Sequence, residues 1–350
     1  MNYKILIIKI GSMGDVLRTT STLKGLKEKY NKSKIYWLIS GKNKEIIIHN
    51  PFVDKILIYS KSSINAILKE KFDLVISLED SAVLCRVAYK IKAKKLIGSF
   101  QNAKGILCYT EDLNDYFDMS LISKYGKKTS DQLKISNKKT YQDIIAKALG
   151  VKKRLPLIHL DNENYLYAEK FAKTHQLAKH TVIGLNTGAG SKWQQKKWSE
   201  IKTATLAKAL AKQSGIKVVL FGGPGASLRN KRIIKYAENS IIDTGCYNNF
   251  SNFAALINLC AILVTSDSLA LHAGTALKKY VIALFGPTSS SEIDLFGRGE
   301  KIVPKIPCLC CYKNICKKKP NCMDSISVDN VLKFIKRAIS LPSTYNCVPK

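Results

Sequence analysis

A doubly wound α/β architecture, built twice along one chain, is the fold class this sequence predicts. Three observations carry that expectation. Short runs rich in Ile, Leu and Val alternate with segments of helical periodicity. Glycine-rich turns follow the strand-like runs in both halves. The length, 350 residues, suits two domains at about 150 residues each.

The first element is an Ile-rich run, Lys4–Ile10, bounded by Gly11 and read as a buried strand. After Gly11-Ser-Met-Gly14, the segment Asp15–Tyr30 spaces Val16, Thr19, Thr20, Leu23 and Leu26 as a helix does. Strands are expected at Ile35–Ile39, Ile56–Tyr59 and Leu74–Leu78, with a Lys-rich helix at Ile64–Lys71. From Asn102 to Asn137 the pattern is irregular and polar, and it recovers as a helix over Thr140–Leu149. Gly150–Asp161, with Pro156, reads as an interdomain connection, which divides the chain into residues 1–155 and 156–350.

The second half repeats the scheme. A helix over Asn164–Lys179 leads to a strand, Thr181–Leu185, and the turn Asn186-Thr-Gly-Ala-Gly-Ser191. A helix near Trp198–Gln213, a strand at Lys217–Phe221 and the loop Gly222-Gly-Pro-Gly225 follow. Ser251–Leu259 reads as helix, Ala261–Thr265 as strand, Ser266–Leu277 as a helix starting after Asp267, and Val281–Phe285 as strand. Val328–Ile339 is an amphipathic closing helix, free to pack back towards the first domain.

Composition narrows the class. Hydrophobic residues are 46% and charged residues 24%, the balance of a globular protein, which excludes disordered, collagen-like and small disulfide-scaffold chains. Lys and Arg number 57 against 26 Asp and Glu, a net charge of +31. Such a surface attracts nucleic acid, an anionic membrane face or small phosphorylated ligands, although scattered solvated lysines explain it equally well. The opening residues lack a signal-peptide pattern, and no run approaches the 18 apolar residues of a membrane helix, so a cytoplasmic protein with mostly reduced cysteines is expected.

In open parallel sheets, ligands bind beyond the carboxyl ends of the strands, where turns expose backbone N–H groups. Neither nucleotide motif fits well: the first turn lacks G-x-G-x-x-G, and no P-loop is present. Asp15 reads either as a first-turn acid stabilising its helix by about 1 kcal/mol or as a carboxylate able to take a proton from a hydroxyl. Ser266-Asp-Ser-Leu-Ala-Leu-His272 opens a helix after a strand, which suits a diphosphate; His272 is five residues from Asp267, so the two would not share a face if both were helical. Lys196, just past the Gly188–Gly190 turn, could neutralise phosphate charge. At 4 Å and an effective dielectric of 20 such a pair is worth about 4 kcal/mol before desolvation. Cys308, Cys310, Cys311, Cys316 and Cys322 cluster in a loop-like segment and read as reduced structural thiols or, with looser than zinc-type spacing and no His, as a metal or redox group.

The segment Lys4-Ile-Leu-Ile-Ile-Lys-Ile-Gly-Ser-Met-Gly-Asp-Val-Leu-Arg-Thr-Thr20 resembles the N-terminal signature of the ADP-heptose:lipopolysaccharide heptosyltransferases, glycosyltransferase family nine. Gly184-Leu-Asn-Thr-Gly-Ala-Gly190 with Lys196-Lys-Trp198, Thr265-Ser-Asp-Ser-Leu-Ala-Leu-His-Ala-Gly274, Leu284-Phe-Gly-Pro-Thr288 and the tail ending Cys322-Met323 resemble it too, in the same order along the chain. The resemblance implies a GT-B fold, two Rossmann-like domains facing a central cleft. It implies an inverting enzyme needing neither cofactor nor metal, with acceptor on the first domain and nucleotide-sugar on the second.

Carried over by position, Asp15 would be the general base and Ser12, Met13 and Gly14 its acceptor-side loop. Lys196 would hold the donor phosphates, Asp267 would contact the donor sugar, and Thr187, Gly188, Ser268, Leu269 and His272 would line the donor site. Ser268-Leu269 departs from the Thr-Gly often found there, which removes a glycine's close backbone approach. The partners so implied are ADP-heptose and a lipid-linked anionic glycan of the lipopolysaccharide core, reached through peripheral contact with the cytoplasmic face of the inner membrane. A different nucleotide-sugar is the alternative within the family. A basic nucleic-acid-binding protein is the alternative outside it, although no recognisable reading motif is present.

Overall fold

The computed structural model describes residues 3–190 and 193–341; residues 342–350 of the expected second domain, together with Ser191, lie outside the described residues. The chain forms two compact units. The first runs to His159 and includes Ser291–Asp294, and the second takes Leu160–Ser290 and the chain from Leu295 onward. The change of unit falls within residues 151–161, which carry no regular structure before the helix at Asn162. The return at Ser291–Asp294 has no signal in the sequence.

In the first unit the strands are β1 (Lys4–Ile8), β2 (Lys34–Ile39), β3 (Lys55–Ile58), β4 (Lys71–Ser77), β5 (Lys92–Gln101) and β6 (Leu107–Tyr109), ordered β3-β2-β1-β4-β5-β6. Only β6 is antiparallel to its neighbour. The core is what the Ile-rich runs demand: Leu6, Ile8, Leu38 and Val75 are fully buried and meet Leu84, Val87 and Ala88 from the helix Ala82–Lys90. In the second unit β7 (Thr181–Asn186), β8 (Ile216–Leu220), β9 (Ile242–Asp243), β10 (Ile262–Ser266), β11 (Tyr280–Leu284) and β12 (Gly299–Ile302) are ordered β12-β11-β10-β7-β8-β9, all parallel. Both sheets therefore reverse direction once, between β1 and β4 and between β7 and β10, and those two switch points are where such sheets bind ligands.

The closing helix Val328–Ile339 starts at Ser327, whose hydroxyl accepts from the Asn330 N–H, and it buries Val331, Ile335 and Ala338 in the core of the second unit. Trp198 shares that core and donates its indole N–H to the Ile326 carbonyl at 3.0 Å.

Some elements differ from expectation. The helix read over Asp15–Tyr30 is two helices, Met13–Thr19 and Leu23–Lys29, joined by a 3-10 turn at Thr20–Thr22. There, Thr20, Ser21 and Thr22 donate their hydroxyls to the carbonyls three residues back, a local competition that tightens the turn. The irregular stretch 102–137 contains β6 and the helices Asn114–Phe117 and Gly126–Ser136. β5, β9, β12 and the helices Ala82–Lys90 and Ser227–Ala237 were not anticipated. β5 depends on Gly98, at φ +114, where a Cβ would lie 1.9 Å from the Ser77 carbonyl oxygen.

Candidate functional site

At the first switch point the turn after β1 is held from β4. The Glu79 carboxylate accepts from the Ile10 and Gly11 N–H groups at 2.7 and 2.8 Å, and Asn43 donates to the Ile10 carbonyl at 2.9 Å. Lys9, 5% exposed, lies 3.5 Å from Glu79 and donates to the Leu78 carbonyl. Burial drives its ammonium down, but Tyr116, Asp15, Glu79 and Tyr141 more than offset this and leave it raised.

The turn delivers Ser12, the exposed cap of helix Met13–Thr19, with Met13 and Gly14 in that helix's first positions and half-buried. Asp15 is thus an acid in the first turn of its helix. The Ser12 hydroxyl donates to Asp15 Oδ2 at 2.8 Å, while Arg18 meets Oδ1 at 2.8 Å. Lys9, Arg18, Glu79, Tyr116 and Tyr141 were missed; the acid following the Leu74–Leu78 run was the one legible signal among them.

At the second switch point, β7 and β10 end side by side. Asn186 donates to Thr265 Oγ1 at 3.4 Å and Ser268 Oγ at 3.0 Å, tying the two turns together. Lys196 Nζ reaches Asp267 Oδ2 at 2.6 Å, Thr288 donates its hydroxyl to the same oxygen at 2.7 Å, and the ammonium lies 4.8 Å from the Trp193 ring centroid. Asp267 is largely but not fully buried, its side chain 14% exposed. Burial raises its carboxyl, but Lys196, His272 and the Thr288 hydroxyl together hold it below the ordinary 3.8.

His272 therefore does act on Asp267. The expected separation of faces does not apply, because the helix Leu269–Ala276 begins only after Asp267 and Ser268. Ser268 and Leu269 are half-buried at that helix start, and His272 is 9% exposed. Gly188 has open space where a side chain would stand.

Thr187, expected in the donor-site lining, lies just past the end of β7, behind the turn. It is fully buried: its hydroxyl pairs with Thr203 at 2.9 Å and accepts from Arg229 at 2.8 Å, and its carbonyl accepts from the Trp198 N–H. It braces the turn from behind. Arg229, unforeseen in the sequence, is 6% exposed, and burial lowers its guanidinium to about 10. Arg229 in turn repels Lys197, whose ammonium is lowered chiefly by its own burial. The Glu200 carboxylate favours the charged form of both cations.

Cys308, Cys311, Cys316 and Cys322 line a cavity of about 150 Å³ shared with Gln195 and Pro287, while Cys310 does not line it. None of the described cysteines is in a disulfide, and among the described residues no three His, Cys, Asp or Glu side chains gather into an ion-holding group. Among the described residues no helix is long and apolar enough to cross a membrane.

The sequence profile of glycosyltransferase family 9 (heptosyltransferase) matches residues 62–322. The chain belongs to glycosyltransferase family 9. The matched span contains Lys196, Asp267 and Thr288, and Asp15 precedes it. The family 9 chain is 24% identical over 302 residues to lipooligosaccharide heptosyltransferase 2 of Haemophilus influenzae, covering 81% of this chain and 84% of that one.

Among solved structures, it superposes on a family 9 glycosyltransferase from Veillonella parvula with a TM-score of 0.80 and 22% identity, covering 97% and 98% of the two chains. On the ADP-heptose lipopolysaccharide heptosyltransferase II of E. coli the TM-score is 0.68 at 18% identity, covering 96% and 98%. These likenesses establish the two-domain GT-B fold expected from the sequence.

Proposed function

We propose that this family 9 chain is an inverting heptosyltransferase that moves a heptose from ADP-heptose to a lipopolysaccharide core acceptor. The observation that carries the proposal is the largely buried Lys196–Asp267–Thr288 group at the switch point of the second unit. A fixed carboxylate beside a cation and a helix N-terminus suits a sugar hydroxyl and a diphosphate bound together. The H. influenzae relative is a lipooligosaccharide heptosyltransferase and the E. coli neighbour an ADP-heptose lipopolysaccharide heptosyltransferase, which supports the same substrates.

In this reading Asp15 takes the proton of the acceptor hydroxyl. The freed oxygen pair forms the new bond to the anomeric carbon, the bond from that carbon to the diphosphate oxygen breaks, and its electron pair leaves with ADP. Lys196, already bound to Asp267, turns a second N–H to the diphosphate, and the Ser268–Leu269 backbone adds the helix end. General-base help of this kind is worth about 10²–10⁴ in rate.

The lipid-linked acceptor is reached by peripheral contact of the basic surface with an anionic membrane. Exposed Leu121 and Tyr125, with Lys124, Lys127 and Lys128 around them, support that contact. Thermal stabilisation by a panel of nucleotides and nucleotide-sugars tests the donor. ADP and ADP-heptose should raise the melting temperature most, with a gain of about 2.7 kcal/mol at a hundredfold excess over Kd. A preference for a uridine or guanosine carrier contradicts it.

A further inference from the structure

Asp15 does not stand alone on its helix. Its carboxylate is gripped on one oxygen by Arg18 at 2.8 Å, and Arg18 is only 12% exposed. The guanidinium carbon lies 3.9 Å from the centroid of the Tyr141 ring, itself 1% exposed. Tyr141 is fixed in turn. Its hydroxyl meets Thr19 Oγ1 at 2.7 Å, Thr19 donates to the Asp15 carbonyl at 2.7 Å, and Tyr116 packs edge-on against the ring. The Tyr141 N–H donates to the Glu292 carbonyl at 2.9 Å, in the segment that returns to the first unit.

An ordinary i,i+3 pair on a wet helix face contributes a few tenths of a kcal/mol and leaves both side chains free to turn. This pair differs because a guanidinium has been withdrawn from water and caged. Burial alone lowers the Arg18 guanidinium, yet Asp15, Tyr116, Tyr141 and Glu292 leave it raised, so Arg18 stays charged throughout the range in which an enzyme works. The other groups facing the pair are Lys9 just past β1, with its partner Glu79 just past β4.

We infer that Arg18, braced by Tyr141, is the positioning residue of Asp15. It holds the carboxylate ionised and in one rotamer, with Oδ1 occupied and Oδ2 turned to the exposed Ser12 side of the turn. A nearby guanidinium weakens a carboxylate as a base. What it supplies is a fixed direction for the carboxylate. The inference depends on Asp15 being the base, and its test separates the two.

The test measures kcat and the pH dependence of kcat/KM for Arg18→Gln, Arg18→Lys and Tyr141→Leu, with ADP-heptose and a deacylated core acceptor. Arg18→Gln should lower kcat at neutral pH about tenfold, leave the KM for ADP-heptose unchanged, and move the acid limb of the profile upward by about one to two pH units. Arg18→Lys should bring the limb back without restoring all of kcat, because an ammonium lacks the planar fork. Tyr141→Leu should shift the limb in the same direction by less.

Folded Arg18→Gln and Tyr141→Leu variants whose acid limbs coincide with that of the parent overturn the inference and leave the base untouched. Undiminished turnover of Asp15→Asn removes the base itself. If neither substitution folds, titration of the Asp15 carboxyl by carbon NMR in the unmodified protein decides. A value below the ordinary aspartate range agrees, and a value at or above it overturns the positioning role.

Discussion

Lys196 Nζ lies 2.6 Å from Asp267 Oδ2, with both side chains largely withdrawn from water. Each ion is the other's principal compensation, and a donor arriving beside them meets a site already charged and oriented. Removing one member strands the other in a poor solvent, which is the costly way to break such a pair. Lys196→Met should therefore lower unfolding stability by about 3 kcal/mol in urea titrations and weaken ADP-heptose binding as well. A change within about 0.5 kcal/mol would show that water reaches the pair after all.

The same pair sets an acid limit. Asp267 ionises below 3.8 in the folded protein. As pH falls, the unfolded chain takes up this proton first. The stabilisation is thus complete above the ordinary aspartate value and is lost as pH drops through the folded one. Urea stability measured from about pH 6 to about pH 2 should fall more steeply for the parent than for Asp267→Asn. Parallel curves would contradict the assignment.

Unforeseen β5 offers a test of the fold alone. At Gly98 an added methyl would collide with the Ser77 carbonyl oxygen in a region of φ that other residues rarely enter. Gly98→Ala should cost more than about 3 kcal/mol or leave the protein insoluble. Circular dichroism and a urea melt read the outcome, and a parent-like melt would mean that β4 and β5 pair differently.

Membrane contact has its own prediction. Sedimentation with vesicles containing anionic phosphatidylglycerol should capture the protein at low salt and release it as salt rises, at about 1 kcal/mol for each basic residue near the surface. Leu121→Ser with Tyr125→Ser should weaken capture without altering turnover on a soluble acceptor. Binding indifferent to both salt and these residues would count against a basic, apolar-tipped face.

Much of this was legible from sequence because the signals are local. Ile-rich runs such as Ile5–Ile8 have to be buried, and Ser327 before an amphipathic run marks a helix start. Asp15, Lys196 and Asp267 stand beside turns that strand periodicity already placed. What escaped depends on contacts between distant segments. Tyr141 meets Arg18 across 123 positions, Thr288 reaches Asp267 from another strand end, and Arg229 supports a turn that begins 42 residues earlier. β5 was hidden because Lys92–Lys95 is a wet, Lys-rich strand half with no apolar alternation to announce it.

Turnover of Asp15→Asn with ADP-heptose and a core acceptor tests the central claim most directly, since this change keeps the size of the side chain and removes its basicity. Transfer should fall at least about a hundredfold while ADP still stabilises the protein as it does the parent. Transfer at the parent rate would mean that the acceptor proton leaves by another route.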